Sequence, residues 1–164
     1  MEIRQIRQED DRMAISHIYE ESWKFAYRNI VPQSYLDSIP VGAWASCLDQ
    51  EGVHTLVMVE DGAFVGTSSF GRSRFAEFKE FGEIISIYLL PEYIGKGYGG
   101  PLLDVVVDKL GKLGFRDVFL RVLEENTRAR RFYEKAGFLP SGVWWDDTIG
   151  GKELRELQYC RNIL

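Results

Sequence analysis

Apolar positions change their spacing along this chain, and each change marks an element. Ile3 to Ile6 reads as a short first strand, after which Glu9-Asp10-Asp11 supplies acidic side chains where the start of a helix favours them. Ile15, Ile18, Tyr19, Trp23 and Ala26 then recur at helical spacing. Small Ser22 shares their face, and polar Ser16, Glu20, Glu21 and Lys24 fall between them. Pro32 interrupts the pattern. A second short helix carries Tyr35 and Leu36, and Pro40 with Gly42 marks a further break before the amphipathic stretch Ala43 to Leu48.

From His54 the period shortens. Thr55 to Val59 is strand-like, Glu60-Asp61-Gly62 is a hairpin signal, and Ala63 to Phe70 returns as a second strand. Arg72 to Lys79 is charged and punctuated, as a loop is, before Glu83 opens a central apolar strand ending at Leu90. A glycine-rich turn, Gly95-Lys96-Gly97-Tyr98-Gly99-Gly100-Pro101, leads to a helix beginning at Leu102. Leu103, Val106, Val107, Leu110 and Leu113 form its apolar face, Asp104, Asp108, Lys109 and Lys112 lie off it, and Gly114 stops it. Val118 to Leu123 is a strand, and Asn126 or Thr127 caps a short helix ending at Gly137. Phe138 to Trp145 and Glu153 to Arg161 make a final antiparallel pair joined by the turn-rich Asp146 to Gly151.

This order predicts a mixed α/β fold, and 164 residues with no linker or repeat fit a single domain spanning 1–164. A formal charge of -5, from 20 basic and 25 acidic residues, argues against a nucleic-acid partner and suits a cationic small substrate. No segment approaches the roughly 18 apolar residues of a membrane span, and Met1-Glu2-Ile3-Arg4 lacks a secretory pattern, so a cytoplasmic protein without a membrane partner is expected. Cys47 and Cys160 form no C-x-x-C pattern, and His17 and His54 stand alone, so neither a disulfide framework nor a metal site is indicated.

The chemistry concentrates at the glycine turn. Glycines let the backbone reach positive φ, and the first turn of the following helix offers unpaired N–H groups at the positive end of its dipole, which suits a phosphate. Gly95 to Gly100 satisfies G-x-G-x-x-G, and Glu124 or Glu125 closes the next strand where a ribose-binding acid would sit, so a dinucleotide domain is one reading. Against it, about eighty residues precede the turn and an antiparallel pair follows. A nucleoside triphosphatase loop fails, because Pro101-Leu102 stands where Lys and Ser or Thr are required.

Two separated motifs point elsewhere. Ile87-Tyr88-Leu89-Leu90-Pro91-Glu92-Tyr93-Ile94-Gly95-Lys96-Gly97-Tyr98-Gly99 resembles the strand and pyrophosphate loop of the GNAT superfamily of acyl-CoA-dependent N-acetyltransferases. Asn126-Thr127-Arg128-Ala129-Arg130-Arg131-Phe132-Tyr133-Glu134-Lys135-Ala136-Gly137-Phe138 resembles its second signature, an asparagine followed seven residues later by tyrosine and closed by Gly-Phe. The order of elements resembles that family along essentially the whole chain. The departure is Ile94, which stands where the family usually has Arg or Gln.

The resemblance implies an α/β fold with a mixed, twisted central sheet of about seven strands flanked by helices, and acetyl transfer from acetyl-CoA, as co-substrate, to a primary amine of a small molecule or peptide. No metal is implied. Backbone groups of Ile87, Tyr88 and Leu89 would hold the pantetheine arm, the Leu89 N–H would polarise the thioester carbonyl, and Gly95, Lys96, Gly97, Tyr98, Gly99 and Gly100 would cradle the pyrophosphate. Tyr133 would be the general acid and touch the cofactor. Asn126 caps a helix and would also contact the cofactor. Glu83 is the candidate base for an ammonium of pKa ~10.4. Trp23, Tyr27, Tyr35 and Trp144 are the candidate acceptor residues. A non-catalytic acyl-CoA-binding or sensing domain is the alternative, and a homodimer stays open.

Overall fold

A single seven-stranded sheet carries the molecule, in the order β1-β2-β3-β4-β5-β7-β6. The computed structural model describes all 164 residues. The strands are β1 Glu2–Gln5, β2 Val53–Glu60, β3 Ala63–Arg72, β4 Gly82–Leu89, β5 Asp117–Leu123, β6 Leu139–Ile149 and β7 Lys152–Asn162. The helices are α1 Arg12–Ala26, α2 Gln33–Asp37, α3 Gly99–Lys112 and α4 Thr127–Lys135. None is long and apolar enough to cross a membrane.

The helical periodicities decide the layering. Leu102, Leu103, Val106 and Leu110 of α3 are buried with Leu56, Phe70, Ile84, Leu120, Phe138 and Tyr159, and the apolar side of α4 packs onto the same cluster. A smaller cluster of Ile15, Tyr19, Leu48 and Val57 seats α1. Asp11 caps α1 by accepting from the Met13 and Ala14 N–H groups, so the acidic run ends where the helix begins.

Local chemistry moves two boundaries from the sequence expectation. Helix α3 begins at Gly99 instead of Leu102, because Pro101 falls in its first turn, where a missing N–H removes no intrahelical hydrogen bond. The last hairpin turns on two residues instead of six. Gly150 and Gly151 both adopt positive φ (59° and 83°), which a two-residue turn of this hand requires, and Asp146 to Ile149 continue as strand paired with Arg155 to Lys152. Leu113, expected on the apolar face, caps α3 and is half exposed.

The central irregularity lies in β4. Ser69 faces Ser86 and Phe70 faces Ile84, leaving Ile85 as an extra, bulged residue. On its other edge β4 pairs in parallel with β5 only from Gly82 to Ile84. Beyond the bulge the two strands separate, and β5 finds its partner in β7 along its full length, from Asp117 opposite Asn162 to Leu123 opposite Glu156. The sheet therefore opens along the second half of β4.

Candidate active site

Separation of β4 from β5 leaves a row of backbone groups facing a gap. The Leu90 N–H donates to the Val65 carbonyl at 2.9 Å, so β4 directs alternate residues to β3, and Leu89 and Ile87 direct their N–H and C=O groups the opposite way, into the opening. The gap is a cavity of about 710 Å³ lined by β4 from Ile84 to Leu89, the glycine turn, the β5 residues Leu120 to Val122 and one face of α4.

At one end the turn does what its glycines permit. Gly95 and Gly97 hold φ of 76° and 87°. A Cβ at Gly99 would meet the Phe132 ring at 3.1 Å, so the start of α3 approaches α4 as closely as a glycine allows. Gly95, Gly97, Gly99 and Gly100 line the cavity, as does half-buried Ile94. Lys96 and Tyr98 do not: Lys96 is exposed, and Tyr98 packs edge-on against Tyr93 at 5.1 Å.

Helix α4 adds positive charge to the cavity wall. Arg128, Arg131 and Lys135 line the same cavity. The sequence reading missed them, although their offsets of three and seven place them on one helical face. They are the basic side chains of this cavity besides Arg121, and Ile94 contributes none. Partial burial lowers the proton affinity of the Arg128 guanidinium, which stacks over Phe25 at 5.0 Å.

Tyr133 projects from α4 into the cavity, and its hydroxyl has no hydrogen-bond partner within the protein. Burial first, and the nearby Tyr88 hydroxyl second, raise its pKa above the ordinary phenol value, so it stays protonated at any physiological pH. Asn126 caps α4 through a bond from the Ala129 N–H at 3.3 Å and also lines the cavity.

A second cavity of about 400 Å³ adjoins the first and shares Tyr27, Ile84, Ile85, Tyr88 and Arg121 with it. Trp23, Tyr27, Tyr35 and Tyr88 form its aromatic side. Trp23 donates to the Tyr88 hydroxyl at 3.1 Å and meets Tyr27 edge-on at 4.7 Å. Trp144 lies outside both cavities, 53% exposed, under the Arg155 guanidinium at 4.8 Å; its neighbour Trp145 turns inward to stack on Phe75 and Arg121.

Charged groups form the opposite side. Glu83 is 1% exposed and fully engaged by Arg74: its Oε1 accepts from the backbone N–H at 3.0 Å and from Nε at 3.1 Å, and its Oε2 accepts from Nη2 at 2.7 Å. Glu156 lies 3.3 Å from Arg121 Nε, and Asp147 joins it on the cavity wall. The sequence pointed to an acidic rim near the last hairpin, and Asp147 supplies it; Arg74, Arg121 and Glu156 were not among the sequence candidates, since they converge from two strands and a loop and leave no local signal.

Such a site has an extended backbone edge for an elongated arm, a glycine turn with a positive helix face for phosphates, a protonated phenol, and an adjoining pocket for a second substrate. The sheet, with β4 and β5 as its one parallel pair, is not the doubly wound sheet that a dinucleotide domain requires.

Known proteins agree with this architecture. The chain is 29% identical over 151 residues to an uncharacterized N-acetyltransferase of Bacillus subtilis, covering 90% of this chain and 86% of that one. It is 27% identical over 166 residues to the spermidine N(1)-acetyltransferase of Thermoplasma acidophilum, covering 97% and 98%. The PaiA N-acetyltransferase of Thermoplasma acidophilum, solved in complex with coenzyme A, superposes with a TM-score of 0.70 at 24% identity over 94% of this chain and 96% of that one, which shows a shared fold. Residues 12–138 match the model of the acetyltransferase (GNAT) family, and the chain belongs to that family.

Proposed function

We propose that the protein transfers an acetyl group from acetyl-CoA directly to the primary amine of a small molecule. The observation that carries this reading is the open edge of β4: the Leu89 N–H faces the gap while the unpartnered Tyr133 hydroxyl faces it from α4, and the second cavity joins the gap along Ile84, Ile85 and Tyr88 of the same strand. Acetyl-CoA lies along Ile87 to Leu89 with its pyrophosphate at Gly95 to Gly100, under Arg128, Arg131 and Lys135. The amine enters by the aromatic pocket. As it attacks the thioester carbonyl, the Leu89 N–H stabilises the developing oxyanion, and Tyr133 protonates the departing sulfur. Burial of Tyr133 supports this role, because the cavity that keeps the phenol protonated also makes the thiolate more basic.

A small acceptor is favoured over a peptide because the outer side of the pocket is closed. Gly150 at the tip of the last hairpin lies so near Tyr35 that a Cβ there would approach the Tyr35 Cβ to 2.6 Å. The Lys152 ammonium donates to the Ile30 carbonyl at 2.8 Å, and Val31, Leu36, Leu123 and Leu154 pack beneath. The free thiols of Cys47 and Cys160 suit a reducing, cytoplasmic setting.

The test is thiol release from acetyl-CoA across a panel of polyamines, monoamines, amino acids and short peptides. Saturable, amine-dependent release with the small amines is expected. Tight coenzyme A binding without amine-dependent release would instead favour an acyl-CoA-sensing domain.

A further inference from the structure

The reaction needs an uncharged amine, and two carboxylates border the acceptor cavity. Glu83 is already saturated by three hydrogen bonds from Arg74. Both of its oxygens are therefore occupied, in a bidentate ion pair with a guanidinium that is itself half exposed. Glu156 differs in each respect. It sits on β7 opposite Leu123 and Trp145, its side chain keeps 13% of its exposure, and its one close cation is Arg121, at 3.3 Å.

We propose that Glu156 is the catalytic residue that accepts the proton of the acceptor ammonium, and that Glu83 is a structural partner of Arg74. The proposal rests on the acetyl-transfer reading above. In the balanced step, R–NH3⁺ gives one N–H proton to the Glu156 carboxylate, which releases it to solvent through the pocket mouth. The neutral nitrogen forms the amide bond as the carbon–sulfur bond breaks, and the second proton lost by nitrogen balances the one that Tyr133 delivers to sulfur.

The surroundings of Glu156 support this role from every side. Arg121 of β5 is held between Phe75 at 5.0 Å and Trp145 at 5.3 Å, which fixes the guanidinium beside the carboxylate. Asp147 of β6 adds a second negative charge, Arg74 a more distant positive one, Glu83 lines the same cavity, and the Tyr27 hydroxyl is near enough to feel the Glu156 charge. Desolvation is the largest influence and raises the proton affinity of Glu156 above that of an ordinary glutamate; Asp147 adds to it and Arg121 opposes it. A base with a raised pKa exchanges protons with an ammonium more readily than an exposed carboxylate does.

The test compares Glu156→Gln, Glu156→Asp and Glu83→Gln, using the alkylamine that the wild type turns over best. For Glu156→Gln the expected result is a kcat/KM lower by roughly 10²- to 10⁴-fold, the usual contribution of a positioned base, with loss of the acidic limb of the pH profile and unchanged acetyl-CoA affinity by titration calorimetry. Glu156→Asp should recover part of the rate and restore the limb, and Glu83→Gln should keep the limb. A Glu156→Gln enzyme with wild-type kcat/KM and an intact limb would overturn the proposal, as would disappearance of the limb in Glu83→Gln alone. A wild type that binds coenzyme A and acetylates no amine would overturn the underlying reading, and this proposal with it.

Discussion

Replacing Tyr133 by Phe removes one oxygen from the wall of the larger cavity. That hydroxyl has no partner in the protein, so its loss leaves no buried group unsatisfied, and the ring keeps its contacts with Phe132 at 5.2 Å and Phe138 at 6.2 Å. Folding stability should therefore stay within about 0.5 kcal/mol of the wild type. Catalysis should not. A positioned acid commonly contributes about 10²- to 10⁴-fold, equivalent to roughly 2.7 to 5.4 kcal/mol of barrier at 1.36 kcal/mol per tenfold. Since the interaction forms only as the sulfur departs, kcat and kcat/KM should fall together while the affinity for acetyl-CoA holds. Steady-state thiol release, paired with thermal unfolding and calorimetric titration of coenzyme A, separates these effects. Turnover within twofold of wild type at unchanged stability would refute the acid role, and a collapse in stability would show that the hydroxyl has a structural partner.

Other substitutions probe the remaining parts. Gly97→Ala forces a side chain onto a residue at φ 87° and should cost about 1 to 2 kcal/mol of local strain, read as a several-fold to tenfold weaker coenzyme A affinity with little change in amine KM. Gly150→Ala puts a Cβ 2.6 Å from that of Tyr35 and should push the last hairpin outward, raising the amine KM and leaving the acetyl-CoA KM in place. Acid denaturation checks Asp10, whose carboxyl accepts from Arg4 Nη1 at 2.7 Å and Nη2 at 2.9 Å and from the Arg7 N–H at 2.7 Å, and whose pKa is lowered from 3.8 to about 2, chiefly by Arg4. Because the folded value lies below the unfolded one, its stabilisation is complete above about pH 4 and disappears as pH falls through about 2. Asp10→Asn should remove roughly 1 kcal/mol at neutral pH after allowance for solvent screening, and should flatten the loss of stability between those pH values.

The elements were legible because each depends on local spacing. The α3 stripe of Leu103, Val106 and Leu110, the Asn126 cap and the glycine turn sit on short contiguous stretches, and apolar periodicity, capping and positive φ act over a few residues. The bulge at Ile85 was not legible, because adjacent Ile84 and Ile85 are equally suited to a strand, and the extra residue shows only in the register against Ser69 and Phe70. The last turn misled because Asp146 and Asp147 favour turns when isolated, whereas here Arg155 holds Asp146 at 3.0 Å within the strand pair. The cavity proposed for the acceptor was half legible. Trp23, Tyr27 and Tyr35 share one segment, but Arg121 and Glu156 meet only because β5 leaves β4 to pair with β7.

Whether the open edge of β4 holds the thioester is decided by a structure of the protein with acetyl-CoA. The expected result is the pyrophosphate against the Gly95 to Gly100 backbone, the thioester carbonyl within hydrogen-bonding distance of the Leu89 N–H, the sulfur beside the Tyr133 hydroxyl, and the acetyl methyl directed at the pocket of Trp23, Tyr27 and Glu156. A pantetheine arm outside the opening between β4 and β5, or an acetyl group turned away from that pocket, would contradict it.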